Sequence, residues 1–210
     1  VTIYDLKPAF QNLLRPLCRA LARAGVSANQ VTAGALLGSL IVGLLFVISP
    51  GAPWAALLIP IWLFLRMALN AIDGMLAREH DMQTELGGML NELGDVISDT
   101  VLYLPFAMVP GIWPVLVVIV VFLSMLTEMT GVVAVQIGAT RRYDGPMGKS
   151  DRAFAFGLLA FLLSIGLEPG WWANALLLLV GLLAAWTVVN RAVRALNERV
   201  ETPDREDLSS

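Results

Sequence analysis

Five stretches of this chain carry no charged residue: Val31 to Leu65, Thr100 to Thr127, Met129 to Thr140, Ala153 to Leu167 and Pro169 to Asn190. Apolar runs of about 18 or more residues predict helices that cross a bilayer. The pattern divides into six predicted spans, over 29–49, 53–79, 86–109, 112–138, 151–167 and 171–194. Short Gly-Pro turns separate several of them: SPGAP (49–53), VPGIWP (109–114) and LEPGWW (167–172). Trp54, Trp113, Trp171 and Trp172 sit beside these turns, where an interfacial aromatic belt would place them. Ahead of the first span, residues 5–25 alternate apolar and basic positions at helical spacing, which predicts an amphipathic helix on the membrane surface. The predicted fold class is an all-α integral membrane protein, six transmembrane helices preceded by an N-terminal amphipathic surface helix. The organisation reads as 1–26 for the surface helix, 27–196 for the membrane domain and 197–210 for a polar, disordered tail. No internal repeat is visible.

Charge then orients the spans. The three Gly-Pro turns hold no Lys or Arg, and of the 14 basic residues all but Arg66 fall on the opposite side. The positive-inside rule makes that side cytoplasmic, with both termini inside, as in a bacterial inner membrane. The first apolar run starts only after residue 30, too late and too long for a secretory signal. Residue 1 is Val, so an initiator Met is expected to have been trimmed or replaced. Hydrophobic residues make up 57% of the chain and the net charge is −3, which gives no pull toward nucleic acid. The single Cys18 cannot form an internal disulfide.

One segment breaks the apolar pattern: LNAIDGMLAREHDMQTELGGMLNELGDVISD, from Leu69 to Asp99. If spans two and three form a hairpin turning near residue 82, residues equidistant from the turn share one membrane depth. That pairs Asp73 with Asn91, Asn70 with Asp95, and Arg66 with Asp99. Residues 66, 70 and 73 lie on one face of the first helix, and 91, 95 and 99 on one face of the second. Three facing polar layers are costly in hydrocarbon and predict a cavity open to the cytoplasm, with Asp73 roughly 10–14 Å from the turn. Carboxylate and carboxamide oxygens suit hard divalent cations, Mg²⁺ or Mn²⁺. Arg66 opposite Asp99 predicts an ion pair at the cavity floor. The bland alternative is interhelical hydrogen bonding alone. Gly74, Gly87 and Gly88 fit close approach of a ligand or of a helix; Gly34 and Gly38 read as helix packing.

The same residues carry a resemblance. The signature of the CDP-alcohol phosphatidyltransferase family reads D-x2-D-G-x2-A-R-x8-G-x3-D-x3-D. Here it runs Asn70-x2-Asp73-Gly74-x2-Ala77-Arg78-x8-Gly87-x3-Asn91-x3-Asp95, with every spacing kept. SANQVT (27–32) is similar to the family's P-N-x-x-T at the start of span one. The resemblance implies cleavage of a CDP-linked donor's pyrophosphate, transfer of a phosphatidyl or phospho-alcohol group to a hydroxyl acceptor, and release of CMP. It implies metal positions at Asn70, Asp73, Asn91 and Asp95, with Asp95 also the general base. Nucleotide-binding positions would be Gly74, Ala77, Arg78 and Gly87, helped by Asn29 and Thr32. A homodimer in membrane lipid is implied too. Asn at 70 and 91 reduces four formal negatives to two. Asp99 shares a face with Asp95 and could compensate; Glu92 is rotated about 100° from Asn91.

A second polar cluster, RRYDGPMGKSDRA (141–153), joins spans four and five. Arg141, Arg142, Lys149 and Arg152 could hold a phosphate on the acceptor or the donor's pyrophosphate, or could simply anchor against anionic lipid. Glu128, within span four, could pair with Arg66 or line an acceptor pocket. Two other functions compete with the transferase. One is a family member that binds CDP-lipid without turnover. The other is a transporter, which paired broken helices in related halves would favour and this chain does not have.

Overall fold

The computed structural model describes residues 3–201, with side chains from 9 to 198. The tail expected over 197–210 lies, from 202 onward, outside the described residues, as do the side chains of Lys7, Arg199 and Arg205. Among the described residues the chain is all-α. Seven helices run α1 (Ile3–Arg23), α2 (Ala28–Ile48), α3 (Pro53–Glu79), α4 (Glu85–Tyr103), α5 (Pro114–Gln136), α6 (Lys149–Ser164) and α7 (Trp171–Glu201), with a 3-10 turn at Leu104–Met108.

Four of these helices, α2, α3, α5 and α7, are long and apolar enough to cross a membrane. The third and fifth predicted spans are shorter as helices than the sequence suggested. The helix expected over 86–109 ends at Tyr103 because Pro105 has no N–H to donate, and the chain tightens into the 3-10 turn. It also carries Glu85, Glu92, Asp95 and Asp99. The fifth, α6, has 16 residues and stops before Gly166, whose φ of 87° ends the helix. The last helix extends to Glu201, beyond the expected 194.

Burial is inverted relative to a water-soluble protein. Leu37, Phe122 and Leu182 are 59%, 57% and 62% exposed, while Arg66, Asp99, Arg152 and Arg191 are buried. Apolar side chains turned outward around buried charges are what lipid as a solvent selects. The chain is an integral membrane protein.

The helices group into two compact units. One contains α1 to α4, through Pro105, together with Ala160–Gly166; the other contains Phe106–Leu159 and the chain from Leu167. In the first unit, Cys18 of α1 packs with Ala28 and Val31 of α2 and with Ile72, Met75 and Leu76 of α3. Phe10 meets Phe64 edge to face at 6.3 Å, and Arg15 pairs with Glu79 at 3.1 Å. The other face of α1 exposes Leu13 and Leu17, as an amphipathic interfacial helix does.

Helix α2 starts on a capping box. Ser27 Oγ accepts from the Gln30 N–H, and Gln30 Oε1 accepts from the Ser27 N–H. It then runs against both α3 and α4. Glycine makes that approach possible: a Cβ on Gly38 would lie 2.0 Å from the Trp62 ring, and one on Gly43 would lie 2.4 Å from the Val101 carbonyl oxygen. Gly34, the other half of the GxxxG, faces open space.

In the second unit α5 packs along α7. Phe106 meets Phe156 edge to face at 5.4 Å. Asn174 ties two Gly-Pro turns together: its Oδ1 accepts from the Trp113 N–H, and its Nδ2 donates to the Gly111 and Gly170 carbonyls.

The two glycines of α2 give a direct comparison. Gly43→Ala should lower the thermal midpoint in detergent, at a cost of about 1–3 kcal/mol, because the atom in its way is backbone. Gly34→Ala should leave the midpoint unchanged or raise it. Tryptophan-fluorescence melts of both variants check this; equal midpoints would mean α2 and α4 can separate at no cost.

Candidate functional site

The α3–α4 hairpin turns through five residues, His80 to Thr84, with Asp81 at φ 53°. Thr84 caps α4, its Oγ1 accepting from the Gly87 N–H at 2.9 Å. The cap is itself held from α2, since Asn29 Nδ2 donates to Thr84 Oγ1 at 3.1 Å. A Cβ on Gly87 would lie 2.5 Å from Asn29 Oδ1, so the motif glycine at 87 is a second place, besides Gly43, where α2 and α4 come close. Gly88 faces open space.

Deeper in, two of the three expected layers carry direct bonds. Asn70 Nδ2 donates to Asp95 Oδ1 at 3.2 Å. Arg66 Nη1 lies 2.5 Å from Asp99 Oδ1. The guanidinium also reaches one layer further than the register alone predicts: Nη2 donates to Asp95 Oδ1 and to the Asp95 carbonyl, each at 3.0 Å. Asp73 is buried and its Oδ2 accepts from Thr32 Oγ1 of α2 at 3.0 Å. Asn91 is exposed and Glu92 half-buried on α4. Asp99, which could have made up for the lost charge, pairs with Arg66.

The remaining signature residues fall around this group. The Arg78 guanidinium folds back over Gly74, where a Cβ would meet Nη2 at 3.0 Å. Ala77 packs at the edge of the Cys18–Ile72–Met75–Leu76 cluster. As a donor set, two carboxylates (Asp73, Asp95) and two carboxamides (Asn70, Asn91) fit a hard divalent cation in chemistry, with half the formal charge of four aspartates.

The second unit contains another polar centre. Glu128 lies 2.8 Å from Arg152, 3.6 Å from Arg141 and 3.7 Å from Arg191. Of the two partners the sequence left open for Glu128 and Arg66, the carboxylates of α4 take Arg66 and the arginines take Glu128. Arg152 is fully buried and also donates to Thr127 Oγ1 and the Met147 carbonyl. Arg191 donates to the Thr127 and Asp144 carbonyls. Arg142 pairs with Asp144 and Glu198, each at 2.7 Å, and Arg194 with Asp144 at 2.9 Å. Arg141 stacks on Tyr143 at 4.9 Å. Lys149 opens α6, half-buried.

Sequence reasoning did not single out Arg191, Asp144 or Thr127. Arg191 reads as positive-inside anchoring at a span end. Asp144 had a signal, as the acid inside an otherwise basic loop. Thr127 had none.

Comparison with known proteins gives consistent matches. A family model described as CDP-alcohol phosphatidyltransferase matches residues 26–195. Inner membrane protein YnbA of Escherichia coli (strain K12) is 49% identical over 193 residues, covering 91% of this chain and 94% of that protein. Among solved structures, Mycobacterium tuberculosis phosphatidylinositol phosphate synthase (PgsA1) in complex with manganese and citrate superimposes with a TM-score of 0.73 at 21% identity, over 90% of this chain and 91% of that one. The same synthase with CDP-DAG bound gives a TM-score of 0.68 at 23% identity, over 90% and 96%. At these identities the likeness to the synthase is one of fold.

Asp144 makes the second centre sensitive to acid. Burial by itself would push its carboxyl up, but the hydrogen bond and charge of Arg142, with Arg194 behind them, hold it below the ordinary carboxylate value. A carboxyl depressed on folding contributes stability above its unfolded value and loses it as pH falls through its folded one. Stability in detergent should therefore fall below about pH 4, and less steeply in Asp144→Asn. Melts of the two proteins from pH 6 to pH 3 measure the difference; superimposable acid limbs would remove Asp144 as a cause.

Proposed function

Because the chain belongs to the CDP-alcohol phosphatidyltransferase family, we propose that it is a membrane transferase that moves a phosphatidyl group from CDP-diacylglycerol to a hydroxyl acceptor and releases CMP. The observation that carries this reading is the bond between Asn70 and Asp95, two signature positions on two different helices. The choice of donor is supported by the mycobacterial synthase solved with CDP-DAG, and the choice of Mg²⁺ or Mn²⁺ by the oxygen donors and by that synthase's manganese complex.

In this reading Asn70, Asp73, Asn91 and Asp95 hold a divalent ion, which when bound would supply charge neutralisation at the donor's pyrophosphate. Asp95 takes the proton of the acceptor hydroxyl. The hydroxyl oxygen bonds to the lipid-bearing phosphorus, and the bond from that phosphorus to CMP breaks, with CMP keeping the electron pair. Thr32 holds the Asp73 carboxylate in place. Gly74, Ala77, Arg78, Gly87 and Asn29 form the nucleotide side. In the second unit Arg141, Arg142, Lys149 and Arg152 receive an anionic group of a substrate. Helices α4 and α6 cross the bilayer with the other four, both termini face the cytoplasm of a bacterial inner membrane, and the chain works as a homodimer. The Asn residues at 70 and 91 favour the second reading, a member that binds CDP-lipid without turnover.

Purified protein given CDP-diacylglycerol, Mn²⁺ and a pool of hydroxyl acceptors should release CMP, and Asp95→Ala should lower the rate by about 10²–10⁴-fold. The mass of the new lipid names the acceptor. Tight CDP binding with no CMP released from any acceptor would favour the non-catalytic reading.

A further inference from the structure

In the second unit three guanidiniums converge on one carboxylate. Glu128 Oε1 lies 2.8 Å from Arg152 and 3.7 Å from Arg191, and Oε2 lies 3.6 Å from Arg141. The residues come from separate parts of the chain: α5, the loop after it, α6 and α7. Guanidiniums set around one point form a donor set for a phosphate or a carboxylate, and here a side chain of the protein already sits at that point.

Two features make this occupant removable. The buried arginines have other anchors. Arg152 also donates to Thr127 Oγ1 and the Met147 carbonyl, and Arg191 to the Thr127 and Asp144 carbonyls. These neutral acceptors fix the guanidiniums in position without neutralising them. Glu128 also lies on the accessible side. Its side chain is 13% exposed and that of Arg141 22%, against 1% for Arg152 and 2% for Arg191. An anion arriving from outside meets Glu128 and Arg141 before the sealed arginines.

The occupant decides what can replace it. An incoming carboxylate offers the arginines the same two oxygens and single charge as Glu128, and gives up its own freedom of movement to do so. Glu128 is tethered at the site, which gives it a standing advantage over any free carboxylate. A phosphate monoester brings about two charges and three strong acceptor oxygens, which a resident carboxylate cannot match.

We propose that Glu128 is a displaceable internal ligand of the arginine cluster and its selectivity element: a phosphate monoester evicts it and a carboxylate does not. The inference rests on the transferase reading above and deepens it by naming the acceptor class, an alcohol that already carries a phosphate. Until that phosphate arrives, Glu128 keeps the sealed arginines paired, so the vacant site holds no unmatched charge within the bilayer. Once the phosphate is seated, the Glu128 carboxylate swings to the accessible side.

The test reads anion binding rather than turnover. The full chain in detergent, without divalent ion or nucleotide, is titrated by calorimetry with inorganic phosphate and with acetate, at about pH 8, where phosphate is a dianion. Wild type should bind phosphate and not acetate. Glu128→Asp keeps the charge but draws it back by one methylene, and should bind phosphate about tenfold more tightly, because the charged hydrogen bond that phosphate has to break is gone. Glu128→Ala leaves the position empty and should bind both anions. CDP-glycerol separates the two sources of a phosphate group: its affinity should be the same in wild type and Glu128→Asp. A gain for CDP-glycerol in place of phosphate would assign the cluster to the donor and overturn the acceptor class. Equal phosphate affinity in wild type and Glu128→Asp would overturn the proposal, since the charge would then act without being displaced. Acetate binding to wild type, or no phosphate binding to wild type and Glu128→Asp alike, would overturn it too. If a variant does not fold, phosphate against acetate in wild type still decides. Each of these failures leaves the transferase reading standing, since CMP release decides that one.

Discussion

A charge inside a bilayer has to bring its counter-charge with it. Water is not there to solvate it, and an isolated guanidinium or carboxylate in hydrocarbon is expensive enough to forbid the fold. Each unit of this protein is arranged around that requirement. In the first, Arg66 is matched by Asp95 and Asp99; in the second, Arg152 is matched by Glu128, with Arg141 and Arg191 close behind. The helices that carry these residues are fixed in rotation, because turning any of them would put a charge against lipid. The leucines and phenylalanines on their outer faces follow from that choice.

Much of this was legible in the sequence, and for a definite reason. Once two helices form a tight hairpin, a rise of 1.5 Å per residue and the i, i+3/i+4 face leave little freedom in which residues meet. That is enough to pair Asn70 with Asp95 and Arg66 with Asp99. It does not reveal how far a long side chain reaches. Arg66 spans two layers, and its second contact, with Asp95, changes the chemistry of the site. Contacts from a third helix are also hidden. Thr32 on Asp73 and Asn29 on Thr84 depend on the rotation of α2, which Gly38 and Gly43 set through packing rather than through any polar pattern. The end of α4 was there to be read in Pro105, but the continuing apolar run concealed it.

The two polar centres differ in character. The first is oxygen-rich, with carboxylates and amides facing inward and a single guanidinium among them. The second is arginine-rich, with a few carboxylates spread among many donors. The proposed transfer between charged phosphorylated partners would use both kinds of surface, one to offset the charge of a pyrophosphate with cations and one to offer N–H donors to an anion. The chain supplies them from separate parts of its sequence, residues 66–99 for one and 127–198 for the other.

The Arg66–Asp99 pair also constrains how such a sequence can change over generations. Arginine at 66 is tolerable only where acids already face it. Asp99 at that depth is tolerable only beneath a cation. Asp99 cannot be acquired before Arg66 without a step through an unmatched buried charge, whereas Arg66 finds Asp95 already facing it. Once both are present, returning position 70 to aspartate sets a second carboxylate against Asp95 before the guanidinium can be dismissed. The four positions 66, 70, 95 and 99 therefore move as a block. A lineage that enters this arrangement has few single-residue steps leading out of it.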